Sequence, residues 1–163
     1  MKRTAAVAVG SNLGDRASTI TRGIDRLAET SGVRLLETST LHETAPVGGP
    51  EQGPFLNGAI LLETTLAPVV LLRRLHEIER EFGRIRGDTA PNGPRTLDLD
   101  LLLLGDQVLQ TEAIELPHPR LHERAFVLDP LVEIAPELVH PISLRTVRQL
   151  HEALHQPAEE PTS

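Results

Sequence analysis

Apolar positions in this chain alternate between short unbroken runs and helix-spaced stripes, with Gly and Pro marking most of the changes. Thr4–Val9 is a buried-strand run that stops at Gly10, and Gly10–Asp15 forms a turn. A helix follows to about Ser31, with Ile20, Ile24 and Leu27 on one face and Gly32 as its stop. Val33–Leu41 reads as a second strand. Thr44–Pro54 holds three Pro and three Gly in eleven residues and reads as a loop. Phe55–Glu63 is a third strand. Ala67–Phe82 is the clearest helix, with Pro68 in its first turn and Leu71, Leu75, Ile78 and Phe82 on one face. Arg84–Pro94 is a second, charged Gly/Pro loop, and Leu97–Leu104 is the fourth strand. A short strand is expected at Gln107–Leu109, a short helix at Asp129–Pro136 and a terminal helix at Thr146–His155, capped by Thr146.

The order strand, helix, strand, strand, helix, strand predicts an α+β fold. Its expected form is a ferredoxin-like antiparallel sheet with helices packed on it, elaborated by a C-terminal extension. Residues 1–156 are expected to form one domain, and Pro157–Ser163 a disordered tail.

The fourth strand carries the chemistry. Asp98 and Asp100 are one residue apart at the head of a leucine run. Alternate strand residues share a face, so both carboxylates point one way and Leu97, Leu99 and Leu101 the other. Asp is disfavoured in strands, and like charges side by side repel. An edge strand can carry two solvated Asp residues without function, but Leu101–Leu104 needs cover on both faces. Divalent cations would offset the repulsion, because hard cations take carboxylate oxygens. Arg95 follows a Gly-Pro turn and offers a phosphate-binding fork. Arg84 and Arg86 stand in the same loop, and Glu79 ends the preceding helix where it could orient one of them. One such arginine alone reads as a solvated charge. Three beside an acid pair point to phosphoryl-type chemistry on a nucleotide. His118, between two prolines, has a stiff backbone, although a lone His is more often structural.

Composition narrows the setting. The formal charge of −7 disfavours non-specific nucleic-acid binding. There is no cysteine, which excludes disulfides, thiol catalysis and thiolate metal sites. The N-terminal apolar run is too short for a signal peptide or a membrane span, so a cytoplasmic protein is expected. With three Phe and no Tyr or Trp, any ring-stacking site must draw on Phe55, Phe82 or Phe126, or on His and Arg planes.

These residues resemble a family. Gly93-Pro94-Arg95-Thr96-Leu97-Asp98-Leu99-Asp100-Leu101-Leu102 is similar to the signature of the 6-hydroxymethyl-7,8-dihydropterin pyrophosphokinases of folate biosynthesis. Gly10–Gly14, Glu43–Gly48 with Gln52 and Phe55–Asn57, Glu79 with Gly83–Arg86, Pro117–Pro119, Arg124–Leu128 and Pro130–Pro136 resemble its other blocks in order. The resemblance implies transfer of a pyrophosphoryl group from ATP to the pterin's hydroxymethyl oxygen, releasing AMP. It implies that Asp98 and Asp100 bind two Mg2+ ions. Arg84, Arg86, Arg95, His118 and Arg124 would contact the nucleotide and its phosphates. Glu79 and the backbone near Leu101 would help hold it. Thr44, Val47, Phe55, Asn57, Asp98 and Phe126 would form the pterin site, with Phe55 and Phe126 sandwiching the ring. Arg84, Arg95, Asp98 and Asp100 would be the catalytic set. The partners implied are two small molecules, with no nucleic acid or membrane. A monomer is expected, with a dimer as the alternative. The chain departs from the family pattern at Asn92, where an aromatic is common, and at Pro119 and Phe55, where some members have Tyr.

Other readings remain. A polymerase-β-type nucleotidyltransferase shares Gly-Ser before a helix and an Asp-x-Asp, but there the acid pair follows within one strand–helix–strand unit. A non-catalytic ferredoxin-like ligand-binding module is another. His151 and His155 lie i and i+4 on the last helix, a metal-ligand spacing with no third ligand apparent in the sequence.

Overall fold

The computed structural model describes residues 1–45, 54–83 and 96–156. Its main sheet contains β1 (Arg3–Ser11), β2 (Val33–Thr38), β3 (His42–Thr44), β4 (Phe55–Thr64) and β5 (Asp98–Leu104). The strand order is β2-β4-β1-β5, with β3 also on β4, and every pairing is antiparallel. Helices α1 (Arg16–Ala28) and α2 (Pro68–Glu81) cover one face. The opposite face is covered by a 3-10 turn at Leu121–Glu123, α3 (Ala125–Ile134) and α4 (Val147–His155). A hairpin of β6 (Leu109–Gln110) and β7 (Glu115–Leu116) follows β5.

Burial explains the two layers. Ile20, Ile24, Leu27, Leu71, Leu75 and Ile78 sit at helical spacing and pack on Val7, Val9, Ile60, Leu62 and Leu99. On the other side, Leu128, Leu131, Val147 and Leu150 pack on Ala6, Ala59, Leu61, Leu102 and Leu103. The leucine run divides between the layers through a bulge. Ala6 pairs with Leu103 but Val7 pairs with Leu101, leaving Leu102 as the extra residue. Leu101 and Leu104 thus face α1 and α2, while Leu102 and Leu103 face α3 and α4. Each fully buried leucine contributes about 1.5–3 kcal/mol.

Several boundaries differ from the sequence reading. α1 ends at Ala28, and Gly32 takes its positive φ beyond three non-helical residues. The expected strand over Val33–Leu41 breaks in two. At the break the Ser39 amide donates to the Ala59 carbonyl, while the Ser39 hydroxyl accepts from the Ala59 amide, both at 2.9 Å. A side chain has taken over a backbone acceptor's place there. Thr44 therefore belongs to β3 rather than to a loop. The short strand falls at Leu109–Gln110. α3 begins four residues before Asp129 because Pro130 sits inside the helix instead of in its first turn. The terminal helix agrees closely. Thr146 caps it, its hydroxyl accepting from the Gln149 amide while the Gln149 side chain accepts from the Thr146 amide. Thr146→Ala should cost about 1 kcal/mol in urea denaturation, since it removes one half of this box.

Candidate functional site

Register brings several of the predicted residues, Asp98, Asp100, Asn57, Phe55 and Thr44, to one end of one face. Gly10 of β1 lies between Asn57 of β4 and Asp98 of β5, and His42 of β3 lies beyond Asn57. In the next row Thr44 pairs with Phe55, and on the other side Ala8 pairs with Asp100. Strand alternation puts Asp98, Asp100, Asn57, Phe55, Thr44 and His42 on the face that carries α3. The two carboxylates are half-buried and share that face. Gly10 keeps the row tight, for a Cβ there would meet Asn57 Oδ1 at 2.9 Å. Asn57 is buried, and its amide nitrogen donates to the Thr44 hydroxyl at 2.5 Å.

β5 is held from behind. Leu97 is fully buried just before the strand and packs against α1 so closely that a Cβ on Gly23 would meet its Cδ2 at 2.7 Å. Glu79 of α2 is also fully buried, and its Oε2 accepts from the Leu99 amide at 2.8 Å. That bond falls between Asp98 and Asp100 and ties their backbone to α2.

The far side of the site comes from the segment after β7. The His118 amide donates to the Leu102 carbonyl at 2.8 Å, which docks Pro117–Pro119 on β5. The His118 Nδ1 accepts from the Arg120 amide at 3.2 Å, leaving Nε2–H as a donor. Burial lowers the pKa of this ring, and Arg124 lowers it further, against the raising influence of Asp98. His118 is thus neutral at neutral pH. Arg124 precedes α3, and its guanidinium lies 5.5 Å from the centre of the Phe126 ring. A cleft of ≈ 420 Å³ opens beside His118, lined by Pro117, Pro119, His122, His140 and Arg145 among others.

Asp98, Asp100, Asn57, Phe55 and Thr44 thus share one strip of the sheet, with Phe126, His118 and Arg124 on the segments packed over that face. Leu101 lies on β5 with its side chain on the opposite face, so only its backbone is placed to serve there. Glu79 engages the β5 backbone from the opposite layer. Val47, Arg84, Arg86 and Arg95 lie outside the described residues, as do most of the segments Thr44–Pro54 and Arg84–Pro94. Phe82 packs at the edge of the α1–α2 layer with Arg22 over its ring at 5.2 Å, away from the strip.

Two supporting sets went unseen in the sequence. Arg16 donates to the Pro54 carbonyl at 2.9 Å and to Glu43 at 3.0 Å, fixing the entry to β4. Glu133 of α3 accepts from the Thr40 amide and hydroxyl and pairs with His42. Burial opposes ionisation of Glu133, but the bonds from Thr40 and His42 outweigh it and hold the carboxyl below its usual range. Alternation of His42 and Thr44 around Glu43 was the available signal, hidden by reading Thr44 as loop.

His140, which is buried, and the half-buried His118 give a pH prediction. Burial lowers the pKa of His140, as of His118, and its Nδ1 accepts from the Ile142 and Ser143 amides. Both folded values lie below the unfolded value of about 6.5. As pH falls the unfolded chain takes up these protons first, so the stability is present above about pH 6.5 and is lost on going below it. Urea midpoints should fall between about pH 7 and pH 5.5, and the slope should flatten in the double variant His118→Gln, His140→Gln. An unchanged slope would contradict the lowered pKa of the two rings.

The same α+β architecture occurs in solved structures. The crystal structure of Plasmodium falciparum HPPK-DHPS wild type with pteroate matches with a TM-score of 0.73 at 15% identity, covering 94% of this chain and 42% of that one. At that identity the likeness speaks for the fold alone. The family model "7,8-dihydro-6-hydroxymethylpterin-pyrophosphokinase (HPPK)" matches residues 6–136, and the chain belongs to this family. It is 41% identical over 138 residues to the 2-amino-4-hydroxy-6-hydroxymethyldihydropteridine pyrophosphokinase of Bacillus subtilis, spanning 85% of this chain and 81% of that protein. The Haemophilus influenzae protein of the same name is 39% identical over 140 residues, 86% of each chain. The folic acid synthesis protein fol1 of Schizosaccharomyces pombe is 42% identical over 152 residues, 93% of this chain but 20% of that much longer protein.

Proposed function

We propose that this enzyme transfers the pyrophosphoryl group of ATP to the hydroxymethyl oxygen of 6-hydroxymethyl-7,8-dihydropterin, giving the pterin diphosphate and AMP in folate biosynthesis. The observation that carries the reading is the strip in which Asn57, Gly10 and Asp98 stand side by side on three paired strands. It sets a buried amide for a heterocycle's polar edge next to a carboxylate pair for the phosphate end.

Asp98 and Asp100 offer hard oxygen donors on one face and fit Mg2+, with two ions as the proposed number. When bound, the ions neutralise triphosphate charge and stabilise charge that develops in transfer. The chain's own residues do the positioning. Asn57, steadied by Thr44, reads the pterin edge, and Val47 is assigned to the pterin site by the family resemblance. Phe55 and Phe126 supply π faces for the flat ring. His118 donates Nε2–H to a phosphate oxygen, and Arg124 adds charge beside it. Arg84, Arg86 and Arg95 complete the phosphate contacts from the loop before β5. The cleft beside His118 gives the nucleoside end room. Glu79 acts on the site through the β5 backbone. The β- and γ-phosphates are chemically alike, so attack at the β-phosphorus is a matter of alignment.

We read residues 1–156 as one domain with a ferredoxin-like core. The order β2-β4-β1-β5 supports this, with each split crossover carrying one helix to the same face. The last two helices are then its C-terminal elaboration. A cytoplasmic monomer using two small substrates fits this reading.

The test is steady-state kinetics of Asn57→Ala. The KM for the pterin should rise about 10- to 100-fold, because a buried edge-reading amide is lost, while the KM for ATP stays within about twofold. Equal changes in both would remove Asn57 from the pterin site.

A further inference from the structure

His151 and His155 share one face of α4, and that face meets α3. There Asp129 supplies the group that the sequence could not place. Its Oδ1 lies 3.0 Å from His151 Nε2 and 2.7 Å from His155 Nε2. One ligand atom from each of the three residues lies within 4.8 Å of the others. The imidazole centres are 4.5 Å apart and the rings are tilted by 54°. Asp129 comes 22 residues before His151, so helix packing assembles the trio rather than local sequence. Leu128 and Leu131 of α3 and Val147 and Leu150 of α4 belong to the same buried cluster beneath it.

We propose that Asp129, His151 and His155 form a binding site for a transition-metal dication of the Zn2+ type, separate from the Asp98–Asp100 pair. The donor chemistry separates the two. Two imidazole nitrogens with one carboxylate oxygen suit Zn2+, Co2+ or Ni2+, whereas carboxylates alone suit Mg2+. Ligands held about 2.0–2.1 Å from a tetrahedral ion stand roughly 3.3–3.4 Å from one another. The Oδ1–Nε2 separations of 3.0 and 2.7 Å would open by roughly 0.3 and 0.6 Å to reach that spacing. Without metal, one carboxylate oxygen accepts from both rings. With metal, each Nε2 turns its lone pair to the ion and carries its proton on Nδ1 instead, so no net proton is lost from a neutral ring. His151-Glu152-Ala153-Leu154-His155 also has the H-E-x-x-H spacing, which puts two imidazoles on one helix face for an ion. The three side chains are 30–47% exposed, leaving a fourth position for water. Such an ion would fasten the last turn of α4 to α3, one turn beyond Phe126.

The experiment uses the full, untagged chain, stripped with chelator and held in excess Mg2+ to occupy hard oxygen sites. Co2+ is titrated with visible absorption as the readout, and Zn2+ by calorimetry. The wild type should bind one equivalent with a tetrahedral-type absorption band. Its Tm should rise by roughly 5 °C or more at free metal near 100 times Kd. His155→Ala alters only the last helical residue, and Asp129→Asn keeps the shape. Each should weaken binding at least about tenfold with an unchanged circular dichroism spectrum, while Asp98→Ala keeps the equivalent. No Co2+ or Zn2+ binding by the wild type would overturn the proposal. So would equal binding by the wild type and both variants, which would move the ion to other histidines.

Discussion

Asp98→Ala and Asp100→Ala are each expected to lower the rate of pyrophosphoryl transfer by about 10³-fold or more with the fold intact. Both carboxylates are half-buried on the same face, at the end of the sheet where Asn57 also lies. Neither belongs to either apolar cluster, so truncation opens no core cavity. In the proposed mechanism, what is lost is charge that grips the phosphate end of the nucleotide. Rapid-quench measurement of transfer, beside a thermal melt, checks this. Near-normal turnover in either variant would remove that carboxylate from the chemistry. A melt lowered by many degrees would recast it as structural.

Glu79→Ala is expected to cost about 2–4 kcal/mol in stability and, through β5, at least about tenfold in rate. The Glu79 carboxylate is fully buried and holds the Leu99 amide between the two aspartates. Removing it leaves a buried N–H without its acceptor and a cavity beside α2. Glu79→Gln separates positioning from charge, because its amide oxygen still accepts from Leu99. The glutamine variant should recover most of the rate. Urea denaturation and transfer rates on both variants decide the matter. A glutamine variant as slow as the alanine one would mean that the negative charge is needed as well as the hydrogen bond to Leu99.

The fold was legible where pattern and burial agree. Ile20, Ile24 and Leu27 announced α1, and Leu71, Leu75 and Ile78 announced α2, because their helical spacing is the buried stripe itself. The four leucines demanded cover on both faces, and α1 with α2 on one side and α3 with α4 on the other provide it. What the pattern concealed was local. Ser39 ends β2 with a side-chain hydrogen bond that no periodicity reports. The helix expected at Asp129–Pro136 begins at Ala125, with Pro130 inside it. The bulge at Leu102 changes which leucines face which layer without altering composition.

The candidate site divides in the same way. Asp98 and Asp100 were visible because a charged pair in an apolar strand is costly and needs a reason. Gly10 looked like a turn residue, and only register shows that it makes room for Asn57. Asp129 could not be joined to His151 and His155 from spacing, because their meeting depends on α3 packing against α4.

The most direct test of the account is product analysis after incubating the protein with ATP, Mg2+ and 6-hydroxymethyl-7,8-dihydropterin. AMP and the pterin diphosphate should appear in equal amounts, with neither forming when the pterin is omitted. Release of ADP, of free pyrophosphate, or of AMP without pterin would contradict pyrophosphoryl transfer at this site.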